Sequence, residues 1–91
     1  MPRTVEQTLS AADDSVSLIN DINTNGSASE YIASDLSQEE INTIVQRNVD
    51  HLTLILSWDG SNGQPDVAGS SDDKSSYNNA ITTGNAYIAA N

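Results

Sequence analysis

The sequence contains no cysteine and no phenylalanine, and only three of its 91 residues are basic. Without cysteine, the chain can form neither a disulfide scaffold nor a thiolate metal site. Three basic residues against 13 acidic ones give a formal net charge of −10. This balance argues against nucleic-acid binding, because three basic side chains can neutralise only a few phosphates. No apolar run approaches the roughly 18 residues that a membrane-spanning helix needs, so we expect no membrane contact.

Large aliphatic side chains are also scarce, since Leu, Ile and Val together supply 19 of 91 residues. That share is close to the roughly 20% below which highly charged chains tend to remain disordered, and small domains bury only a modest part of their surface. We therefore expect one domain, residues 1–91, that works as a component of an assembly. The first ten residues carry one positive charge and no apolar run, so we expect no secretory signal and an intracellular origin.

The strongest apolar pattern lies between Ser37 and Trp58. Ser37 followed by Glu40 is a capping box, in which each residue satisfies a backbone amide of the other. The apolar residues that follow recur at helical spacing: Ile41, Ile44, Val45, Val49, Leu52, Ile55 and Leu56. The segment 52–56 also suits a strand, but the length of the whole pattern favours a helix. We predict a helix over about 38–57.

Two weaker patterns predict helices on either side of it. Thr4 and Gln7 form a capping box before a narrow apolar seam of Val5, Leu9, Ala12, Val16 and Ile19, which predicts a helix over about 4–22. Asp72 and Asp73 suit the first turn of a helix over about 72–89. Its packed face would consist of Tyr77, Ile81, Gly84 and Ile88, flanked by Ala80 and Tyr87, with Gly84 allowing a neighbouring backbone to approach.

These patterns together predict an all-α fold, a small three-helix antiparallel bundle in which helix 38–57 is clamped between the other two. Two long irregular loops would connect the helices. The first, 23–36, is long for a helical bundle, and the second, 59–71, has one possible apolar anchor in Val67.

A second stripe runs along helix 38–57, beside the apolar one. Arg47, His51, Leu54 and Trp58 recur at steps of four, three and four, so they share one face. Two hypotheses fit this stripe. It binds a partner, together with Tyr31 and Ile32 of the first loop, or Trp58 merely closes the end of the bundle while Arg47 pairs with Asp50.

No catalytic, cofactor-binding or metal-binding residues can be assigned. His51 is the single histidine, and no nucleophile or second acid stands at a spacing that would activate it. The segment 59–63 has the composition of a calcium loop, but Gly63 falls in the fifth position instead of the sixth and Ser70 occupies the place of the bidentate glutamate. We therefore expect a plain turn, a chain that is not an enzyme, and no small-molecule substrate.

Two segments resemble small acidic proteins encoded by tailed bacteriophages of cyanobacteria and other marine bacteria. They are RNVDHL at 47–52, with the polar turn that follows helix 38–57, and DKSSYNNAITTGNAYIAAN at 73–91. The resemblance implies a virion structural protein, either a capsid decoration or cement protein or a neck or tail accessory subunit. Its partners would be other virion proteins in many symmetric copies, and its localisation would be the virion, after synthesis in the host cytoplasm.

The acidic charge supports a different hypothesis. An acidic phage protein can act as a soluble DNA mimic that attracts and inhibits a basic host protein through its long-range field. A mimic needs dense rows of carboxylates on one face, whereas the 13 acids of this chain are dispersed along it. We keep inhibition of a basic host protein as the alternative function.

Overall fold

Three α-helices form the fold in the computed structural model, which describes residues 4–25 and 36–91. The helices are α1 (Val5–Asn25), α2 (Gln38–Ser57) and α3 (Ser75–Ala90), and a 3₁₀ turn (Ser61–Gly63) interrupts the connection between α2 and α3. The prediction of an all-α three-helix bundle is confirmed. All three pairs of helices pack against each other, so α1 and α3 also meet directly instead of being separated by α2.

Hydrogen bonds between helices indicate their relative directions. The Gln38 side-chain amide donates to the Tyr87 hydroxyl over 3.0 Å, which joins the start of α2 to the end of α3. The Tyr77 hydroxyl donates to the Asp13 carboxylate over 2.8 Å, which joins the start of α3 to the first half of α1. Gly84 of α3 lies against Val45 and Val49 of α2 and Ile19 of α1. With this second point of contact, α3 runs antiparallel to α2 and parallel to α1, so α2 is antiparallel to both of its neighbours.

Both predicted capping boxes are present. The Thr4 amide donates to Gln7 Oε1 over 2.9 Å, and the Gln7 amide donates to Thr4 Oγ1 over 3.1 Å. The Ser37 amide and Glu40 Oε1, and the Glu40 amide and Ser37 Oγ, make the same reciprocal pair, each over 3.1 Å. Each box satisfies backbone donors that the first turn of a helix leaves without a partner.

Replacing Ser37 with alanine is expected to lower the free energy of unfolding by about 1 kcal/mol, because the cap of α2 is lost. Urea unfolding followed by circular dichroism measures the change. Ser10→Ala is the matched control, since Ser10 is exposed inside α1 and alanine favours a helix interior. Equal unfolding free energies for Ser37→Ala and the wild type would show that the box does not stabilise α2.

Two helix boundaries differ from the predictions. Helix α1 continues to Asn25, three residues beyond the predicted end, and the added residues Asn23, Thr24 and Asn25 are all exposed. Helix α3 begins at Ser75, not 72, because the Asp73 carboxylate stays outside the helix and accepts the Ser75 amide over 2.9 Å and the Ser75 hydroxyl over 2.6 Å. These hydrogen bonds from Ser75 lower the pKa of Asp73.

The core lies where the three helices meet and includes the predicted loop anchor. From α2 it takes Ile41, Val45, Val49, Leu52 and Ile55, while Ile44 and Leu56 are only partly buried. Val67 is fully buried, as predicted, and holds the second loop against the helices. The packed face of α3 is rotated from the predicted one, since Ala80 is buried and Ile81 is only partly so.

Gly84 is buried at the meeting point of all three helices, and the atoms nearest to the place of its missing side chain are methyl groups of α1 and α2. A Cβ placed on Gly84 would lie 2.5 Å from Val49 Cγ2, 3.3 Å from Val45 Cγ1 and 3.4 Å from Ile19 Cγ2. The methyl groups of α1 and α2 thus occupy the space that a side chain on α3 would take.

Candidate partner-binding surface

The face of α2 that points away from the core carries the predicted stripe, here called the outer stripe and consisting of Arg47, His51, Leu54 and Trp58. At about 100° per residue, its four positions fall within roughly 60° of one another around the α2 axis if Trp58 is counted as continuing the helix. Arg47, His51 and Leu54 are exposed. Leu54 is 54% exposed and stands out as the large hydrophobic side chain most open to solvent in the described residues.

Trp58 ends the stripe and also closes the bundle. Its backbone is extended (φ −67°, ψ 129°), its amide donates to Ile55 O over 3.1 Å, and its side chain is partly buried against the core. Its carbonyl accepts the Ala68 amide over 2.8 Å, which ties the second loop to the end of α2. Trp58 therefore stabilises the fold whatever else it contacts.

Asp50 was the suggested surface partner of Arg47. Its Oδ1 accepts instead from the Gln46 side-chain amide over 2.9 Å, one turn earlier on the flank of α2. Such i, i+4 pairs stabilise a helix only slightly. The other proposed partner-binding residues, Tyr31 and Ile32, lie outside the described residues.

A pocket of about 280 Å³ extends the outer stripe towards the start of α2. It is lined by Leu36, Glu40, Thr43, Ile44 and Arg47. Leu36 and Ile44 are partly buried and supply apolar walls. Glu40 and Arg47, both exposed, supply one charge of each sign.

The charges around the pocket have a defined spacing. Glu40 and Arg47 are seven residues apart, which is about 10.5 Å along the α2 axis at 1.5 Å per residue, with Thr43 and Ile44 between them. The Glu40 Oε1 atom accepts the Ser37 amide, so the capping box fixes this carboxylate at the rim of the pocket. The Thr43 hydroxyl donates to Glu39 O over 3.0 Å.

The loop with the composition of a calcium site is a hydrogen-bonded turn. The Asp59 carboxylate accepts the Ser61 hydroxyl over 2.7 Å and the Ser61 amide over 3.2 Å, and these bonds lower the pKa of Asp59. Gly60 and Asn62 take positive φ values of 89° and 57°, which glycine and asparagine tolerate. Across residues 4–25 and 36–91, no three His, Cys, Asp or Glu side chains come close enough to hold a metal ion.

Comparisons with known proteins add no assignment to this geometry. No protein-family model, curated protein or solved structure matches the chain. None of the three described helices has the length and apolar character that crossing a membrane requires.

Proposed function

We propose that this chain is a non-enzymatic structural subunit of a phage virion, a capsid decoration or cement protein or a neck or tail accessory protein. It would act through contacts between α2 and other virion proteins. The observation that carries the proposal is Leu54, 54% exposed on a stripe with Arg47 and His51. Apolar and Arg side chains on one face suit a protein interface, where Arg is enriched and apolar groups are buried.

The virion setting of the proposal comes from the resemblance of residues 47–52 and 73–91 to small acidic phage proteins.

The distribution of charge favours a structural subunit over a DNA mimic. The described acids lie on α1, on α2 and in the loop between α2 and α3, while α3 carries no charged residue. A mimic of DNA phosphates needs its acids arranged densely on one side, because its field must attract a basic partner to that side.

The proposal predicts that Leu54→Asp lowers incorporation of the chain into particles at least tenfold, since a tenfold loss corresponds to about 1.4 kcal/mol and burying an unpaired carboxylate costs more than that. The measurement is the amount of this chain in particles purified after infection, relative to the major virion proteins. Circular dichroism confirms that the variant folds, as expected for an exposed position.

Thr53→Asp is the matched control. Thr53 is exposed on the flank of α2, roughly 100° around the helix from Leu54. Thr53→Asp therefore introduces the same carboxylate outside the outer stripe. Normal incorporation of Thr53→Asp with loss of Leu54→Asp supports docking through the stripe. Absence of the wild-type chain from purified particles, together with its salt-sensitive binding to a basic host protein, would favour the inhibitor instead.

A further inference from the structure

We propose that the first half of α2 binds the same half of α2 in a second copy of this chain, in an antiparallel contact around a two-fold axis. This inference deepens the proposed function, on which it rests, by naming one occupant of the outer face of α2. It concerns the pocket between Leu36 and Arg47 and not the part of the stripe around Leu54.

The pocket carries a pattern of charge that is complementary to itself. In an antiparallel pair whose axis passes between Thr43 and Ile44, position 40 of one helix faces position 47 of the other. Glu40 then meets Arg47 of the second copy, and the symmetry repeats this ion pair. A two-fold contact requires such reciprocity, because each residue that touches the partner is also touched in return.

The apolar part of the pocket fits the same axis. Positions 43 and 44 lie on either side of the axis, so the two Thr43 side chains meet on one side of it and the two Ile44 side chains on the other. Helices that pack directly lie about 8–10 Å apart, which brings Ile44 of one copy into the pocket of about 280 Å³ in the other.

A second copy suits this surface better than a partner of uniform charge. A basic partner would meet Arg47, and an acidic partner would meet Glu40, whereas a second copy meets both with the opposite sign. The net charge of −10 opposes self-association at long range. At about 0.15 M salt, however, the screening length is about 8 Å, so the charges in direct contact decide the outcome.

The experiment is sedimentation velocity of the purified protein at about 0.15 M salt. A contact as small as one half-helix is expected to be weak, with a dissociation constant between about 10 µM and 1 mM. Glu40→Lys alone and Arg47→Glu alone place like charges opposite each other, so each is expected to weaken self-association at least tenfold. An equimolar mixture of the two variants restores both ion pairs and is expected to associate within about threefold of the wild type.

Glu39→Lys is the matched control, because it makes the same charge change beside Glu40 and off the pocket lining. Glu39→Lys is expected to self-associate at least as well as the wild type. A wild-type chain that stays monomeric at about 1 mM, or a mixture no stronger than either variant alone, would overturn the inference.

Because Glu40→Lys also breaks the capping box of α2, a second variant avoids that change. The chain has no cysteine, so Thr43→Cys introduces a single thiol beside the proposed axis. Under mild oxidation it is expected to form a disulfide-linked dimer at least tenfold faster than the flank control Thr53→Cys, since only the former brings two thiols within disulfide reach. Equal rates would contradict the axis.

The failures of the two proposals are distinguishable. Self-association is measured on the isolated chain, and incorporation is measured in particles. A wild-type dimer that is absent from particles would contradict the virion role alone. A monomeric chain that is incorporated normally and loses incorporation with Leu54→Asp would contradict the α2 pairing alone.

Discussion

Replacing Gly84 with valine is expected to lower the free energy of unfolding by about 3 kcal/mol, through overpacking of the core. The first added carbon alone would lie 2.5 Å from Val49 Cγ2, and the two further methyl groups of valine need space that Val45 and Ile19 already occupy. Valine is also a better helix former than glycine, so helix propensity cannot account for a loss. Urea unfolding measures the change.

The matched control is Ala86→Val, which places the same side chain at an exposed position two residues along α3. This substitution is expected to cost less than about 1 kcal/mol, the size of a helix-propensity change. Equal losses in the free energy of unfolding for Gly84→Val and Ala86→Val would show that the close contact of α3 with α1 and α2 at Gly84 does not cause the loss.

Stability is expected to fall by on the order of 2–3 kcal/mol when the pH rises from about 9 to 12, because of Tyr77. Burial, and then the hydrogen bond to Asp13, raise the pKa of Tyr77 from 10.0 to about 12. The unfolded chain therefore releases the phenolic proton from about pH 10 upwards, while the folded chain keeps it. The contribution of Tyr77 is complete below pH 10 and is lost as the pH rises towards 12.

Tyr77→Phe separates this effect from the other tyrosines, which remain in the variant. It removes the hydroxyl that donates to the Asp13 carboxylate over 2.8 Å and to Leu9 O over 3.3 Å. At neutral pH the variant is expected to be less stable than the wild type by about 1–2 kcal/mol, and this difference should shrink above pH 10 and vanish or change sign by about pH 12. Parallel curves of stability against pH for the two proteins would contradict the raised pKa of Tyr77.

The sequence was informative where local rules decide the structure. The two capping boxes, the helix over 38–57 and the anchor Val67 all depend on the types and spacing of nearby residues, and each is present. The two errors in helix boundaries arise where the types and spacing of nearby residues do not decide the structure. The last three residues of α1 are exposed and polar, so no apolar spacing indicates them, and the start of α3 is set by the side chain of Asp73 outside the helix.

The packing of α3 and the polar part of the core could not be predicted from apolar spacing. Gly84 is buried on the predicted face. Ala80 is buried as well, because a small residue lets α3 approach the other helices, whereas the larger Ile81 lies at the edge. Thr8 is 1% exposed, and its hydroxyl has no hydrogen-bond partner among the described residues. A pattern that counts only aliphatic residues passes over both features.

The candidate surface was only partly visible in the sequence. Spacing placed Arg47, His51 and Leu54 on one face, and the structure exposes all three. The sequence does not indicate the pocket beside them, because its pattern marks Glu40 as a capping residue and Ile44 as a core residue. A polar residue at the rim of a pocket has no local signature in the chain, since the rim forms only after the core has oriented α2.

The central claim is that the outer face of α2 is covered by protein when the chain performs its function. Hydroxyl-radical footprinting of purified particles, read by mass spectrometry, tests it directly by comparing oxidation of Leu54 in the particle and in the free chain. The account predicts that oxidation of Leu54 falls at least fivefold in the particle, because an interface excludes water from apolar side chains that it buries, while Tyr77, already buried in the bundle, changes little. Equal oxidation of Leu54 in the two samples, or no trace of the chain in the particles, would contradict the account.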